Sequence, residues 1–177
     1  MSIKILSPEM FNKKNIDIFY ELVKEGEQVN LNGLKGRILR SALLGFYSIE
    51  NKLVSVSSIK NPNSEYKERI FKKANISELA VRHQYELGYA YTIKEYRGMG
   101  INISLNERLL DQIEDHAVYA TTHNENMKSS LVKMGFEAVG REYEGDKGDK
   151  IQMYSYDILK NMNDGVSGFI NLEDIPD

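Results

Sequence analysis

The spacing of hydrophobic residues changes along the chain, and each change predicts a different element. After a short apolar strand, IKIL, residues at three- and four-residue intervals form one apolar face: Ile16, Phe19, Tyr20 and Val23. This spacing predicts an amphipathic helix that ends near Gly26. The polar stretch GEQVNLNG that follows is typical of a loop.

A second helix and a β-hairpin are predicted next. The helix is expected from the same helical spacing at Ile38, Leu39, Ala42 and Leu43. Alternation in LLGFYSIENKLVSVSSIK then predicts two strands joined at the dipeptide EN. Further on, the segment ERIFKKA is expected to form a turn or a short helix.

The middle of the chain has the pattern strand, helix, strand. YELGYAYTI is an aromatic-rich strand, and AVYATT is a short buried one. Between them Leu105, Leu109 and Ile113 form a helical stripe. A strand, a helix and a second strand in this order predict a parallel pair with a right-handed crossover.

The last predicted elements complete one domain. A helix over NENMKSSLVKMGF should end at Gly135, and EAVGREYEG and KIQMYSYDI should pair around the turn DKGD. We therefore predict a single α/β domain over residues 1–160, followed by an acidic tail over residues 161–177. Its sheet should be mixed and mostly antiparallel around the central parallel βαβ unit, with helices on both faces.

Composition narrows the functional classes. The net charge of −3 argues against a nucleic-acid partner, and the absence of cysteine excludes disulfides, thiolate metal sites and a cysteine nucleophile. The three histidines lack metal-ligand spacing, so no metal site is expected. The chain has no apolar run near the roughly 20 residues that span a bilayer, and its start lacks a signal-peptide pattern. A cytoplasmic location without membrane contact is the expectation.

A glycine-rich segment, KEYRGMGINI, stands directly before the central helix. Gly98 and Gly100 remove side chains at a point where the first amides of a helix have no intrahelical partner. Those amides and the helix dipole favour an anion, and Arg97 adds a positive charge. The segment therefore predicts that a phosphate or pyrophosphate binds the amides from Gly98 to Asn102.

Two segments resemble one known family. EYRGMGI, after a strand and before an amphipathic helix, resembles the acyl-CoA loop of the GNAT N-acetyltransferase superfamily, whose pattern is Arg/Gln-x-x-Gly-x-Gly/Ala. TTHNENMKSSLVKMGF is similar to the second cofactor segment of that family. The order and spacing of elements match from about residue 3 to residue 157. Asn102 departs from the pattern, and its side chain is expected to cap the helix or to donate to a phosphate oxygen.

The resemblance implies an N-acetyltransferase that uses acetyl-CoA or another acyl-CoA and transfers the acetyl group to a primary amine, by direct attack in a ternary complex. The pyrophosphate would lie on the amides of Gly98 to Asn102. A backbone N–H near Tyr89 to Tyr91 would polarise the thioester carbonyl. The other residues implied to contact the cofactor are Tyr91, Thr92, Ile93, Arg97, Met99, Ile101, Asn124 and Met127.

Proton transfer needs a base and an acid, and the sequence offers candidates for each. Glu86, early in the predicted central strand, stands near the position where several family members place a glutamate base, with Glu78 as a weaker second candidate. The family often has a tyrosine acid at the position of Leu131, and leucine cannot donate a proton. Tyr143 is the replacement acid we select, with Tyr154 as the other candidate.

The acceptor is expected between the loop GEQVNLNG and the hairpin turn YEGDKGD. Acidic residues make that rim negative, which favours a cationic amine. A non-catalytic module that binds acyl-CoA or a protein partner remains the alternative, because Leu131 replaces the expected acid. A homodimer is left open by the sequence.

Overall fold

The computed structural model describes residues 1–114 and 116–157. The predicted tail, residues 161–177, lies outside them, as does the end of the predicted 1–160 domain.

The described residues form seven strands and five α-helices, besides three short 3₁₀ helices. The strands are β1 (Ser2–Leu6), β2 (Leu43–Ile49), β3 (Lys52–Lys60), β4 (His83–Thr92), β5 (Ala117–Thr122), β6 (Glu137–Glu144) and β7 (Lys150–Tyr156). The helices are α1 (Lys13–Glu25), α2 (Leu34–Leu39), α3 (Ser64–Lys73), α4 (Ile101–Leu110) and α5 (Glu125–Lys133). In this part of the chain no helix is long and apolar enough to cross a bilayer.

All seven strands belong to one sheet, in the order β1-β2-β3-β4-β5-β7-β6. The pair β4–β5, which α4 connects, is parallel, and the other neighbours are antiparallel. The predicted mixed sheet around a parallel βαβ unit is therefore confirmed.

Helices cover both faces of the sheet, as predicted. On one face, Leu105 of α4 and Leu131 of α5 pack in a core with Leu87 and Val118. On the other face, α1 and α2 pack over β2, β3 and β4, while α3 packs over β5 and β7. The second face carries Glu86 and His83, two buried polar residues considered below.

The second predicted helix is shorter than its spacing indicates. It ends at Leu39, which is half exposed, and Leu43 instead begins β2. The Ala42 N–H donates to the carbonyl of Ile59, 2.8 Å away. Pairing with β3 therefore overrides a local helical pattern that continues across Ser41, as tertiary contacts often do.

Two further expectations need correction. α4 ends at Leu110, so Ile113 lies beyond the helix, although it remains buried in the same core. His83, which precedes the predicted strand YELGYAYTI, is instead the first residue of β4 and is 3% exposed. Its ring packs against Phe71 and Tyr119, contacts that the sequence pattern does not show.

Candidate functional site

The segment between β4 and α4 is built on two glycines with left-handed backbone angles. The φ angles of Gly98 and Gly100 are +78° and +72°. Such angles strain most other residues, so backbone conformation alone accounts for both glycines. An ideal Cβ on either residue would meet no atom within 4 Å, so the space beside the loop is open.

The loop also leaves a row of amides available. Gly100 is the residue before α4, and its carbonyl accepts from the Ser104 N–H at 3.0 Å. Among the described residues, no acceptor pairs with the amides from Gly98 to Ile103. The geometry thus fits an anion, such as the pyrophosphate of an acyl-CoA, at the start of α4.

The side chains of the loop contribute little to this amide row. Met99 is 63% exposed, and Ile101 is buried in the core beneath α4. Arg97 bends back to the end of β4, where its Nε donates to the Thr92 carbonyl at 2.9 Å and its guanidinium stacks on Tyr91. Its charge therefore lies beside the loop and is held by the strand.

Asn102 does not cap α4. Gly100 takes the cap position, and the Asn102 Oδ1 accepts from Asn106 Nδ2 at 3.0 Å. Asn106 is fully buried, and its own Oδ1 has no hydrogen-bond partner among the described residues. The cap expectation for Asn102 is therefore wrong, because the side chain points along the helix to the next turn.

The end of β4 holds three predicted cofactor residues in fixed positions. The Tyr91 hydroxyl donates to Glu25 at 2.9 Å, and Thr92 shares a hydrogen bond with the Ser55 hydroxyl. The Ile93 N–H donates to the Val54 carbonyl on β3. The Tyr91 and Thr92 side chains are thus already engaged, and so are the carbonyls of both residues, which accept from Ser55 and Arg97. Only the remaining backbone groups are left for a ligand.

The start of α5 holds the other two predicted cofactor residues. Asn124 is the N-cap of α5, and its Oδ1 accepts from the Met127 N–H at 3.1 Å. Met127 packs partly against the core formed by α4 and α5. One lone pair of the capping oxygen is committed to the helix, so the amide nitrogen is the side-chain group of Asn124 left to donate to a ligand.

β4 and β5 separate partway along their length. Their paired residues run from His83–Ala117 to Glu86–Tyr119, although both strands continue further. Over the rest of its length, β4 is paired with β3 alone among the described strands. A gap therefore opens between two neighbouring strands beyond Glu86.

An extra residue interrupts β4 next to this gap. Gly88 pairs with Ser58 and Tyr91 with Val56, so two residues of β4 oppose the single residue Ser57. Tyr89, one of the two, has a φ of +53°. A non-glycine residue in this conformation within a bulge re-aims the backbone, and bulges of this kind are frequent at functional sites.

Glu86 lies at the point where the strands part, and it is the centre of a buried polar cluster. It is 3% exposed, and its carboxylate lies 2.7 Å from Lys60 Nζ. Tyr119 and Thr121, both on β5, donate to it at 3.4 Å. We call this group the Glu86 cluster; its members are Lys60, Tyr66, Glu86, Tyr89, Tyr119, Thr121 and Tyr143.

Tyr66, Tyr119 and Tyr143 of the Glu86 cluster stay protonated at neutral pH. Burial, followed by the charge of Glu86, raises the pKa of Tyr143 and the pKa of Tyr119 well above the usual tyrosine range. For Tyr66 the charge of Glu86 is the larger cause of a raised pKa, and burial adds to it. Tyr143 is therefore a neutral hydrogen-bond donor at neutral pH.

The position of Leu131 is part of the core. Leu131 is fully buried on the inner side of α5 and packs in the same core as Tyr154, which is 6% exposed. Tyr154 lies on β7 opposite Ala120 of β5. Tyr143 packs on the other face, in the hydrophobic core that α3 covers. The two candidate acids, Tyr143 and Tyr154, therefore lie on opposite faces of the sheet.

The two segments expected to border the acceptor lie next to each other. Lys147, in the turn between β6 and β7, donates to the carbonyl of Glu27 at 3.0 Å. Acidic side chains of the rim are partly compensated, because Glu142 lies 3.6 Å from Lys128 and Asp146 lies 4.0 Å from Arg69. The rim is thus less negative than the sequence suggests.

Sequence reasoning missed most of the Glu86 cluster. Lys60, Tyr66 and Tyr119 belong to three different elements, and only the tertiary structure brings them to Glu86. Lys60 ends an otherwise uncharged run in β3, which is the one signal that marks it. Glu78, the second candidate base, is exposed in the turn before β4.

Many solved structures share this fold. ElaA of Escherichia coli aligns with 89% of this chain and 100% of its own, at a TM-score of 0.67 and 13% identity. An acyl-CoA N-acyltransferase from Pseudomonas aeruginosa aligns with 86% of this chain and 97% of its own, at a TM-score of 0.61 and 18% identity. A variant of the spermidine N-acetyltransferase SpeG from Vibrio cholerae aligns with 93% of this chain and 99% of its own, at a TM-score of 0.61 and 14% identity.

These likenesses show that the chain has the fold of the GNAT acyl-CoA N-acyltransferases, as the resemblance in sequence implies. No family model matches the sequence, and no curated protein matches it. Identities below 20% establish the fold, and the activity has to be argued from the site.

Proposed function

We propose that the protein is an acyl-CoA-dependent N-acetyltransferase that transfers an acetyl group to a primary amine of a small molecule or a protein, by direct attack in a ternary complex. One observation carries the proposal: the row of free amides from Gly98 to Ile103 follows the same strand, β4, that separates from β5 beyond Glu86. Both the anion site and the gap border β4, so together they suit a long ligand with an anionic end.

The residues of the chain would hold such a ligand mainly through the backbone. Acetyl-CoA, or another acyl-CoA, would supply the acyl group as a thioester. The amides of Gly98 to Asn102 would bind the pyrophosphate, and the backbone of Tyr91 to Ile93 would pair with the pantetheine arm. An N–H near the bulge at Tyr89 would polarise the carbonyl that is attacked.

Proton transfer would involve the Glu86 cluster. Attack requires a neutral amine, and Glu86 would accept the proton of the acceptor's ammonium group. Tyr143, held neutral by its raised pKa, would act as a hydrogen-bond donor towards the leaving group. Positioning and carbonyl polarisation would supply most of the acceleration.

Binding and turnover can be tested separately. Acetyl-CoA is titrated into the protein by calorimetry, and CoA release is then assayed against polyamines, amino acids, aminoglycosides and peptides. We expect saturable binding and acceptor-dependent CoA release. Absence of acetyl-CoA binding would refute the proposal.

A binding module without catalysis is the second candidate. The observation that favours it is Leu131, which is fully buried in the core where the family often has a tyrosine acid. Acetyl-CoA binding without CoA release on any acceptor would support this alternative. In either case the cytoplasmic location and the oligomeric state stay predictions.

A further inference from the structure

Lys60 reaches across β4 to the place where β4 and β5 separate. It is the last residue of β3 and pairs with Glu86 in the sheet. Its stem passes closely over Gly88, since an ideal Cβ on that glycine would lie 2.8 Å from Lys60 Cδ. A side chain at position 88 would therefore displace the Lys60 stem.

The Lys60 ammonium group lies in a site that suits a primary ammonium. Its Nζ is 2.7 Å from Glu86 Oε2, 4.9 Å from the centroid of the Tyr89 ring and 5.9 Å from that of Tyr66. A carboxylate together with aromatic rings is a combination that proteins use to bind cationic amines. The chain thus supplies its own butylammonium group to the site.

Lys60 also covers the carboxylate that the proposed reaction needs. The Glu86 side chain is 4% exposed and the Lys60 side chain is 18% exposed, so Lys60 is the outer member of the pair. Tyr119 and Thr121 approach the carboxylate from β5. An acceptor nitrogen that approaches Glu86 Oε2 from the side of Lys60 would therefore take the place of Lys60 Nζ.

We infer that the acceptor is an unhindered primary alkylamine whose ammonium group displaces that of Lys60 from Glu86; the inference rests on the proposed function. The exchange keeps Glu86 paired with a cation, so it avoids the large cost of a buried unpaired carboxylate. The flexible stem of lysine and the short distance to solvent allow Lys60 to leave. Lys60 is thus an internal competitor of the acceptor.

Competition of this kind has a measurable size. The apparent Kd of a ligand equals its intrinsic Kd divided by the fraction of molecules whose site is open. If Lys60 occupies the site in about 90 to 99% of molecules, its removal should lower the KM for an alkylamine about ten- to hundredfold.

The first test needs no acyl transfer. Lys60→Ala removes the atoms from Cγ to Nζ, which n-propylammonium supplies as a separate molecule. We expect n-propylammonium chloride to raise the Tm of Lys60→Ala with concentration, relative to sodium chloride of equal ionic strength. The wild type should respond less, and the Lys60→Ala/Glu86→Gln double variant should not respond.

Two results of this test overturn the inference. One is no difference between the two salts for Lys60→Ala; the other is an equal response of the double variant. If Lys60→Ala does not fold alone, its refolding yield is compared in the same two salts, and recovery with n-propylammonium supports the site while no recovery overturns it.

The second test separates this inference from the proposed function. With acetyl-CoA present, Lys60→Ala should acetylate n-propylamine with a KM at least about tenfold below that of the wild type. The contrary result is a KM of Lys60→Ala for n-propylamine above that of the wild type, while the enzyme still turns over acetyl-CoA with other acceptors. That result would overturn the role of Lys60 and leave the proposed function standing. Failure to bind acetyl-CoA would refute the proposed function, and with it the acceptor role, whatever n-propylammonium does to the Tm.

Discussion

The glycine loop and the Glu86 cluster are the two halves of the candidate site, and they are built in opposite ways. The loop from Gly98 to Asn102 is one continuous segment, exposed at its glycines, that offers backbone amides. The Glu86 cluster is buried at Glu86, Tyr89 and Tyr119 and part-buried elsewhere, and it consists of side chains from β3, α3, β4, β5 and β6. The loop depends on backbone conformation, whereas the cluster depends on the register of the sheet.

This difference predicts different responses to substitution. A side chain added at Gly98 or Gly100 acts through the space that it fills or the charge that it adds, because an ideal Cβ there meets no protein atom within 4 Å. A change in the cluster alters a network in which one carboxylate contacts an ammonium group and two hydroxyls. Groups in such a network act as a unit, so a single removal has a large effect.

The largest effect is expected for Glu86→Gln. Glutamine keeps the shape of the side chain and can still accept a hydrogen bond, but it cannot take a proton. We expect the turnover rate at neutral pH to fall by about 10²–10⁴-fold and to recover partly at high pH, where more of the acceptor is already neutral. The measurement is CoA release as a function of pH.

Glu78→Gln is the matched control, because it removes the same charge from an exposed residue. We expect wild-type turnover from it. A pH–rate profile of Glu86→Gln that matches the wild type would exclude Glu86 as the base and leave the cluster with a structural role.

A somewhat smaller effect is expected at the loop, for Gly100→Asp. A Cβ fits at this position, and both aspartate and asparagine tolerate left-handed backbone angles. The added carboxylate would face an anionic pyrophosphate, and repulsion at about 4 Å costs a few kcal/mol at an effective dielectric constant of 20. Calorimetry should show acetyl-CoA affinity about 100-fold weaker than in the wild type.

Gly100→Asn separates charge from shape in this experiment. It has nearly the same size and backbone preference as the aspartate variant, so we expect a loss of less than about tenfold and a similar Tm. Equal affinities for the two variants would mean that the anion binds away from the start of α4.

The same contrast explains how much the sequence could predict. The glycine loop and its position between β4 and α4 follow from a local pattern, and the structure confirms them. Lys60 could not be assigned, because its contact with Glu86 depends on the β3–β4 register and on the extra residue at Tyr89. The pattern also placed Leu43 in a helix, where pairing between strands decides the outcome.

The smallest of these effects is a pH-dependence of stability that comes from His83, next to the Glu86 cluster. His83 packs against Tyr119, and its Nδ1 lies 2.8 Å from the Leu79 carbonyl. A carbonyl only accepts, so Nδ1 carries the proton, and Nε2 accepts from the Ser155 hydroxyl at 2.6 Å in the neutral ring. Burial lowers the pKa of His83 in spite of the opposing Leu79 hydrogen bond.

The sign of the resulting pH-dependence follows from this lowered pKa. Above the unfolded value of about 6.5, His83 is neutral in both states and the stability is complete. Below it, the unfolded chain gains a proton that the folded protein does not, so the free energy of unfolding falls by up to about 1.4 kcal/mol per pH unit. The fall ends at the lowered pKa of the folded state. Urea denaturation between pH 8 and pH 5 measures it.

His83→Gln should remove this contribution, because the amide does not titrate. His123→Gln serves as the control, since it removes an imidazole from a side chain that is 37% exposed. If His83→Gln keeps the wild-type slope below pH 6.5, the acid sensitivity comes from other groups. A flattened slope would show instead that His83, which packs against Tyr119 of the Glu86 cluster, must stay neutral for full stability.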